Sequence, residues 1–218
     1  MHVLIFGPTG GVGKALVTLA LSRGMKVTAF ARKPEKVPSG ADVIVGDALD
    51  ERAVANAITI SSPDAVLISL GSSGIMSRDF NCSKGTANIY LGLRAAKDAM
   101  RARGGAPKSP RVVVCSSMGV GDSAPFIPGF VAWLLKHALA DKEPQEATVR
   151  DGGFPWVIVR PTGLRDAPPR GRAALAAIVG GKLPTSSISR TDVADFMLEA
   201  LEKDDFLGKS VGLSWSAA

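Results

Sequence analysis

Short apolar runs rich in Val, Ile and Leu alternate along the chain with longer stretches in which apolar residues recur every three or four positions. The runs predict strands at residues 2–6, 25–30, 42–45, 65–69, 111–115 and 156–159, with a last one at 210–213. The longer stretches predict helices over residues 11–23, 50–57, 82–103, 130–150 and 191–203. The first strands carry apolar residues consecutively, as strands covered on both faces do. Repeated strand-then-helix order with such strands gives an α/β fold, a doubly wound parallel sheet of the Rossmann kind with right-handed crossovers.

Composition narrows this picture. With 218 residues, 46% apolar and 21% charged, the chain is long enough to bury a core and is expected to form one domain over residues 1–218. Proline and glycine cluster at residues 104–110, 121–129 and 166–172, which are loops by turn chemistry rather than linkers. The sheet then uses the whole chain, and any substrate must be held by loops at the carboxyl ends of the strands, where such sheets bind ligands. Those loops are residues 7–13, 31–36, 46–49, 71–79, 116–129 and 161–190.

Two cysteines, Cys82 and Cys115, argue against a disulfide scaffold and for a reducing compartment. The first residues read directly as a strand rather than a leader, and the apolar stretch at 130–135 is too short to cross a bilayer, so a soluble cytoplasmic protein without membrane contact is expected. The net charge of +6 is scattered. Its densest stretch, Arg94, Lys97 and Arg101, falls on one face near a helix C-terminus and reads as a solvated face, so no nucleic-acid partner is expected. His2 and His137 make no metal signature with the cysteines, and no metal is expected. Gly71-Ser72-Ser73-Gly74 is not a hydrolase elbow. Phe130, Trp133, Leu134 and His137 recur at core spacing. A monomer or small homo-oligomer is expected.

The first strand leads into Gly7-Pro8-Thr9-Gly10-Gly11-Val12-Gly13-Lys14 and then a helix. Glycines there permit a tight turn and close approach of backbone to a pyrophosphate, while the helix N-terminus offers unpaired N–H groups. A nucleotide P-loop is excluded because Pro8 stands where its first glycine belongs and Ala15 replaces its Ser/Thr. About 20 residues on, NAD-selective sites place an acid against the ribose 2′-hydroxyl. This chain has Arg32 and Lys33, which suit a 2′-phosphate, so NADP(H) is the expected cofactor.

These pieces, with Val45-Gly46-Asp47, Leu70-Gly71-Ser72, Val114-Cys115-Ser116-Ser117, Val159-Arg160-Pro161-Thr162-Gly163 and Ile188-Ser189-Arg190-Thr191-Asp192-Val193-Ala194, resemble the atypical short-chain dehydrogenase/reductases. The likeness is strongest to the branch of biliverdin IXβ (flavin) reductases and NmrA-like proteins, and it runs over nearly the whole chain. The resemblance implies that Asp47 and Ala48 lie by the adenine, Leu70, Gly71 and Ser72 by the ribose and pyrophosphate, and Pro161, Thr162 and Gly163 by the nicotinamide carboxamide. Asp192 and Asp195 read as first-turn residues after a Ser/Thr cap, without chemistry.

Conventional members of that superfamily use a Tyr-x-x-x-Lys pair. The single tyrosine here is Tyr90, and the family spacing puts the lysine at Lys142 and the tyrosine at Ala138, which has no proton to give. Lys142 then either reaches the ribose or is an exposed helix lysine. Ser116 and Ser117 remain as candidate catalytic residues, Ser117 at the position that resembles the biliverdin IXβ reductase serine. Met76, Phe126 and Ile127 are candidates for a platform under a planar substrate. The resemblance thus implies hydride transfer to a flavin, a tetrapyrrole or a quinone, whose proton can come from water. An NmrA-like protein that senses NADP(H) without turnover fits the missing tyrosine equally. A nucleotide-sugar epimerase fits less well, because it would need the tyrosine and a longer C-terminal region.

Overall fold

The computed structural model describes residues 1–71 and 79–217. Eight strands form one sheet in the order β3-β2-β1-β4-β5-β6-β10-β8. They are β1 (His2–Phe6), β2 (Lys26–Ala31), β3 (Asp42–Val45), β4 (Ala65–Ile68), β5 (Arg111–Cys115), β6 (Trp156–Pro161), β8 (Leu175–Val179) and β10 (Lys209–Trp215). All neighbours run parallel except β8, which is antiparallel to β10 at the edge. A separate parallel pair joins β7 (Gly163–Arg165) to β9 (Ser187–Ser189).

The helices are α1 (Gly11–Ser22), α2 (Glu51–Ser61), α3 (Asn81–Ala102), α4 (Gly129–Leu134), α5 (Lys136–Asp151) and α6 (Arg190–Glu202). Strand β1 shows why its residues are apolar without alternation. Val3 and Ile5 belong to a core shared with Leu16 of α1 and Phe196 of α6, whereas Leu4 and Phe6 belong to one shared with Ile58 of α2 and Tyr90 of α3. Both faces of the strand are dry, so both sets of side chains gain by burial. Strand β1 pairs with β2 on one side and β4 on the other. Chain order reverses between β1 and β4, and the crevice above their carboxyl ends is where an open α/β sheet binds its ligand.

Three expectations from the sequence need correction. The stretch expected as one helix over 130–150 is broken at Leu135 into α4 and α5. The stripe expected as core on α4 faces solvent, with Phe130 74%, Trp133 70% and Leu134 50% exposed. Apolar spacing reports which side chains share a helix face, not whether another element packs upon it. Strands β7, β8 and β9 lie in the segment expected as one loop over 161–190: β7 and β9 are three residues of mixed polarity, and β8 is a five-residue apolar run without alternation, all too short to carry a period.

Candidate functional site

Gly7 ends β1 at φ +79°, a left-handed conformation open to glycine, and a Cβ there would lie 2.4 Å from the Ser69 carbonyl oxygen. At Gly13 a Cβ would lie 2.0 Å from the Gly7 carbonyl oxygen, so the turn closes only because both residues lack side chains. Gly10 differs, since nothing comes nearer than 3.8 Å to a Cβ built there. It is the N-cap of α1, which has neither a side-chain cap nor an acidic residue in its first turn. The N–H groups of Gly11, Val12 and Gly13 therefore form an uncapped helix N-terminus, the arrangement that receives phosphates.

This N-terminus opens on a cleft of about 240 Å³ lined by Gly7, Thr9 and Gly10 from the first loop, Arg32 after β2, Asp47 and Ala48 after β3, and Leu70 and Gly71 after β4, with Pro8, Phe30, Ala31, Gly46, Leu49, Ser69 and Asn81 completing the wall. Gly46 is held against the ring of Phe30, 2.5 Å from where its Cβ would be. Of the expected cofactor residues, Val12 and Gly13 are buried behind the loop and Lys33 lies outside the cleft wall. Ser72 and Met76 lie outside the described residues.

At the rim, Arg32 Nη1 stands 3.7 Å from Asp47 Oδ2, both side chains well exposed. Asp47 also accepts the Leu49 amide at 3.0 Å, which fixes its carboxylate at the head of its loop. The guanidinium is thus parked on a weak surface ion pair that an incoming phosphate can displace.

Deeper in, the two serines that end β5 differ. Ser117 is half-buried, and among the described residues its hydroxyl reaches the neighbouring Met118 carbonyl at 3.0 Å. Ser116 is 5% exposed and donates to Glu146 Oε1 at 2.5 Å. Glu146, fully buried on α5, also receives Arg160 Nε at 2.9 Å and Nη2 at 2.7 Å and an ion pair from Arg150. Arg160 in turn pairs with Asp122. The Arg160 guanidinium bonded to Asp122 holds that carboxyl below the usual carboxylate range. Ser116, expected as a catalytic candidate, is therefore committed to a buried ion network.

Lys142 is neither exposed nor offered to the cleft. Its ammonium donates to the Cys115 carbonyl at 2.8 Å, the Gln145 amide oxygen at 2.9 Å and the Leu70 carbonyl at 3.2 Å, which accounts for its three protons. Beside it, Asp141 accepts the Cys82 amide at 2.9 Å and the Ser83 amide at 2.8 Å, capping α3 from outside that helix. Burial opposes ionisation of Asp141, but these bonds prevail and its carboxyl sits below the usual range. Burial pushes the Cys82 thiol up to about 11 and raises Cys115 as well.

Tyr90 is 1% exposed, packs edge-on to Phe154 and bonds the Val149 carbonyl, and burial raises its phenol. It belongs to the α2/α3 core and not to the cleft. Thr162 has its N–H and hydroxyl on the Leu213 carbonyl, beside buried Pro161, and Gly163 donates to the Ser186 carbonyl. Ile127 covers Gly119, and Phe126 lines a separate shallow depression with Met118, Arg160 and Ile178, so the structure does not bring Phe126 to the cleft. Among the described residues no metal-holding cluster occurs and no helix is long and apolar enough to cross a membrane.

Neither Glu146 nor its pairing with Ser116 and Arg160 is singled out from the sequence. The available signal was α5 itself, whose buried face is Asp141, Gln145, Glu146 and Val149, mostly polar at helical spacing. Buried polar groups at that spacing must find partners on the elements they face.

Comparison with known proteins gives three kinds of likeness. A reductase from Aspergillus terreus is 24% identical, covering 98% of this chain and 97% of that protein. A 3-diazoavenalumate denitrifying reductase from Streptomyces is 39% identical over 67 residues, 31% of this chain and 22% of that protein. The fold is that of ChuY, described as an anaerobilin reductase of Escherichia coli, with TM-score 0.78 at 23% identity over 98% of this chain and 96% of that one. It is also that of a Veillonella parvula short-chain dehydrogenase/reductase solved with NADP, with TM-score 0.75 at 19% identity over 98% and 94%. The family model for NAD(P)H-binding proteins matches residues 7–204, which include every loop around the cleft, and the chain belongs to that NAD(P)H-binding family.

Proposed function

We propose that the protein is an NADPH-dependent reductase of planar, electron-accepting small molecules such as flavins, linear tetrapyrroles or quinones. The observation that carries this is the combination of an uncapped α1 N-terminus at a glycine-cradled cleft with a guanidinium, not a carboxylate, at the end of β2. The fit to a dinucleotide is physical: N–H groups for the diphosphate, an apolar wall of Ala31, Ala48 and Phe30 for a base, and Arg32 for a 2′-phosphate. When bound, the nicotinamide supplies a hydride, and the protein supplies binding, orientation and electrostatics.

The choice of acceptor rests on how the described proton donors are already engaged. Tyr90 is buried in the core, Ser116 donates its hydroxyl hydrogen bond to Glu146, and Lys142 has its three N–H bonds on protein oxygens. A ketone needs a proton delivered as its oxygen gains charge, and none of these groups is placed to deliver it. An electron-poor conjugated ring spreads the charge of the incoming hydride and can take its proton from water. Ser117, whose hydroxyl is tied among the described residues to its neighbour's carbonyl, is then the residue to orient the reacting rings. The exposed Phe130 and Trp133 of α4 offer apolar surface to a flat molecule.

The reductase names of the curated relatives are consistent with this reading. It is tested by mixing purified protein and NADPH with FMN, biliverdin and simple quinones. Protein-dependent loss of the NADPH near-ultraviolet absorbance with at least one acceptor is expected. Tight NADPH binding with no oxidation by any of them would transfer the chain to the cofactor-sensing class.

A further inference from the structure

Arg190 is the first residue of α6, directly after β9 and the Ser189 cap. Its side chain crosses to the other end of the dinucleotide loop. A Cβ built on Gly11 would lie 2.3 Å from Arg190 Cδ and 2.6 Å from its Nε, so the guanidinium stem rests on the first turn of α1 and Gly11 must be a glycine for it to do so. The head group is held by Nη1 to Asp166 Oδ1 at 2.7 Å, with Arg190 30% and Asp166 89% exposed.

This placement sets a cation against the positive end of α1. A helix N-terminus carries partial positive charge and disfavours a cation, and α1 has no acid in its first turn to offset one. One carboxylate, Asp166, 89% exposed, compensates little. An anion lying between the N–H groups of α1 and Arg190 satisfies both, and the cleft's own ligand class carries one in its diphosphate.

We propose that Arg190 is a diphosphate ligand, closing over the cofactor from the α6 side while α1 holds it from below, with Asp166 as the internal competitor that holds the guanidinium until the dinucleotide arrives. This rests on the cofactor reading above. It assigns to Arg190 a task distinct from that of Arg32: the 2′-phosphate is peculiar to NADPH, whereas the diphosphate is common to NADPH and NADH.

The test is a pair of binding titrations, NADPH and NADH, followed by nucleotide fluorescence on the full chain. Arg190→Gln is expected to weaken both nucleotides by the same factor, about tenfold or more, as loss of a charge-assisted bond requires. Asp166→Ala, at a side chain too exposed to matter for folding, is expected to tighten both about twofold by releasing the guanidinium. Unchanged affinities in Arg190→Gln, a loss confined to NADPH, or weaker binding in Asp166→Ala would each overturn the proposal. If the unaltered protein binds neither nucleotide, the cofactor reading fails with it. If that protein binds both and the variants match it, the assignment of Arg190 alone fails.

Discussion

The hydroxyl of Ser116 donates to Oε1 of Glu146 at 2.5 Å, and both residues are buried, one at the end of β5 and the other on α5. A hydrogen bond to a buried charge contributes about 1.5–3 kcal/mol. Ser116→Ala is expected to cost that much in denaturant unfolding, because Glu146 loses an acceptor bond in a dry place. Ser117→Ala, half-buried and bonded among the described residues to its neighbour, is expected to leave stability within about 0.5 kcal/mol and to lower NADPH oxidation by about tenfold or more if it positions the reacting rings. The reverse pattern would exchange the two roles.

The Glu146–Arg160 pair should be destructive to break and less so to remove. Glu146→Gln leaves Arg160, 2% exposed, with the largely solvent-exposed carboxylate of Asp122 as its remaining charged partner among the described residues. A loss of about 3–5 kcal/mol is expected. Replacing both residues with Met should cost clearly less than the sum of the single changes. Additive losses in a double-mutant cycle would show that the two do not stabilise each other.

How much of this was legible beforehand differs by element. Strand β1 could be read because both its faces are buried, which leaves an unbroken apolar run; the Gly7 turn could be read because only glycine tolerates φ +79° pressed against Ser69. Arg32 was legible as a rim cation because it ends a strand two places past Phe30. The Ser116–Glu146–Arg160 network was not, since its members sit 30 and 14 residues apart and meet only once the sheet is assembled. Nor was the fate of α4: the spacing of Phe130, Trp133 and Leu134 is the same whether the face they share meets a core or a ligand.

Arg32 governs the choice of cofactor. Arg32→Ala is expected to reduce the ratio of NADH to NADPH dissociation constants by about tenfold or more, with NADH binding nearly unchanged. Asp47, its present partner at 3.7 Å, competes for the same guanidinium. Equal loss for both nucleotides in Arg32→Ala would mean that the residue serves something other than a 2′-phosphate.

Acid should unfold the protein through identifiable carboxylates. Asp192 is 1% exposed, and burial opposes its ionisation, but bonds from Trp215, Ser189 and the Arg170 and Gly171 amides outweigh that and hold its folded pKa below 3.8. A carboxyl depressed in the folded state stabilises it above the unfolded pKa, and that stability is lost as pH falls through 3.8 toward the folded value. His2 has the opposite chemistry and the same direction: burial lowers its folded pKa from 6.5, so the unfolded chain takes up the proton first as pH drops. Melting temperature is expected to decline slightly below about pH 6.5 and steeply below about pH 4. Asp192→Asn should be less stable at neutral pH and flatter in the acid limb. A variant with the same acid slope would remove Asp192 from this account.

Hydride transfer itself is tested most directly by single-turnover oxidation of NADPH in the presence of FMN or biliverdin, with the nicotinamide carrying hydrogen or deuterium at the transferred position. The account predicts oxidation that requires both protein and acceptor, is slower with deuterium, and falls in Ser117→Ala. NADPH that binds tightly yet stays reduced with every planar acceptor, in the presence of correctly folded protein, would contradict it.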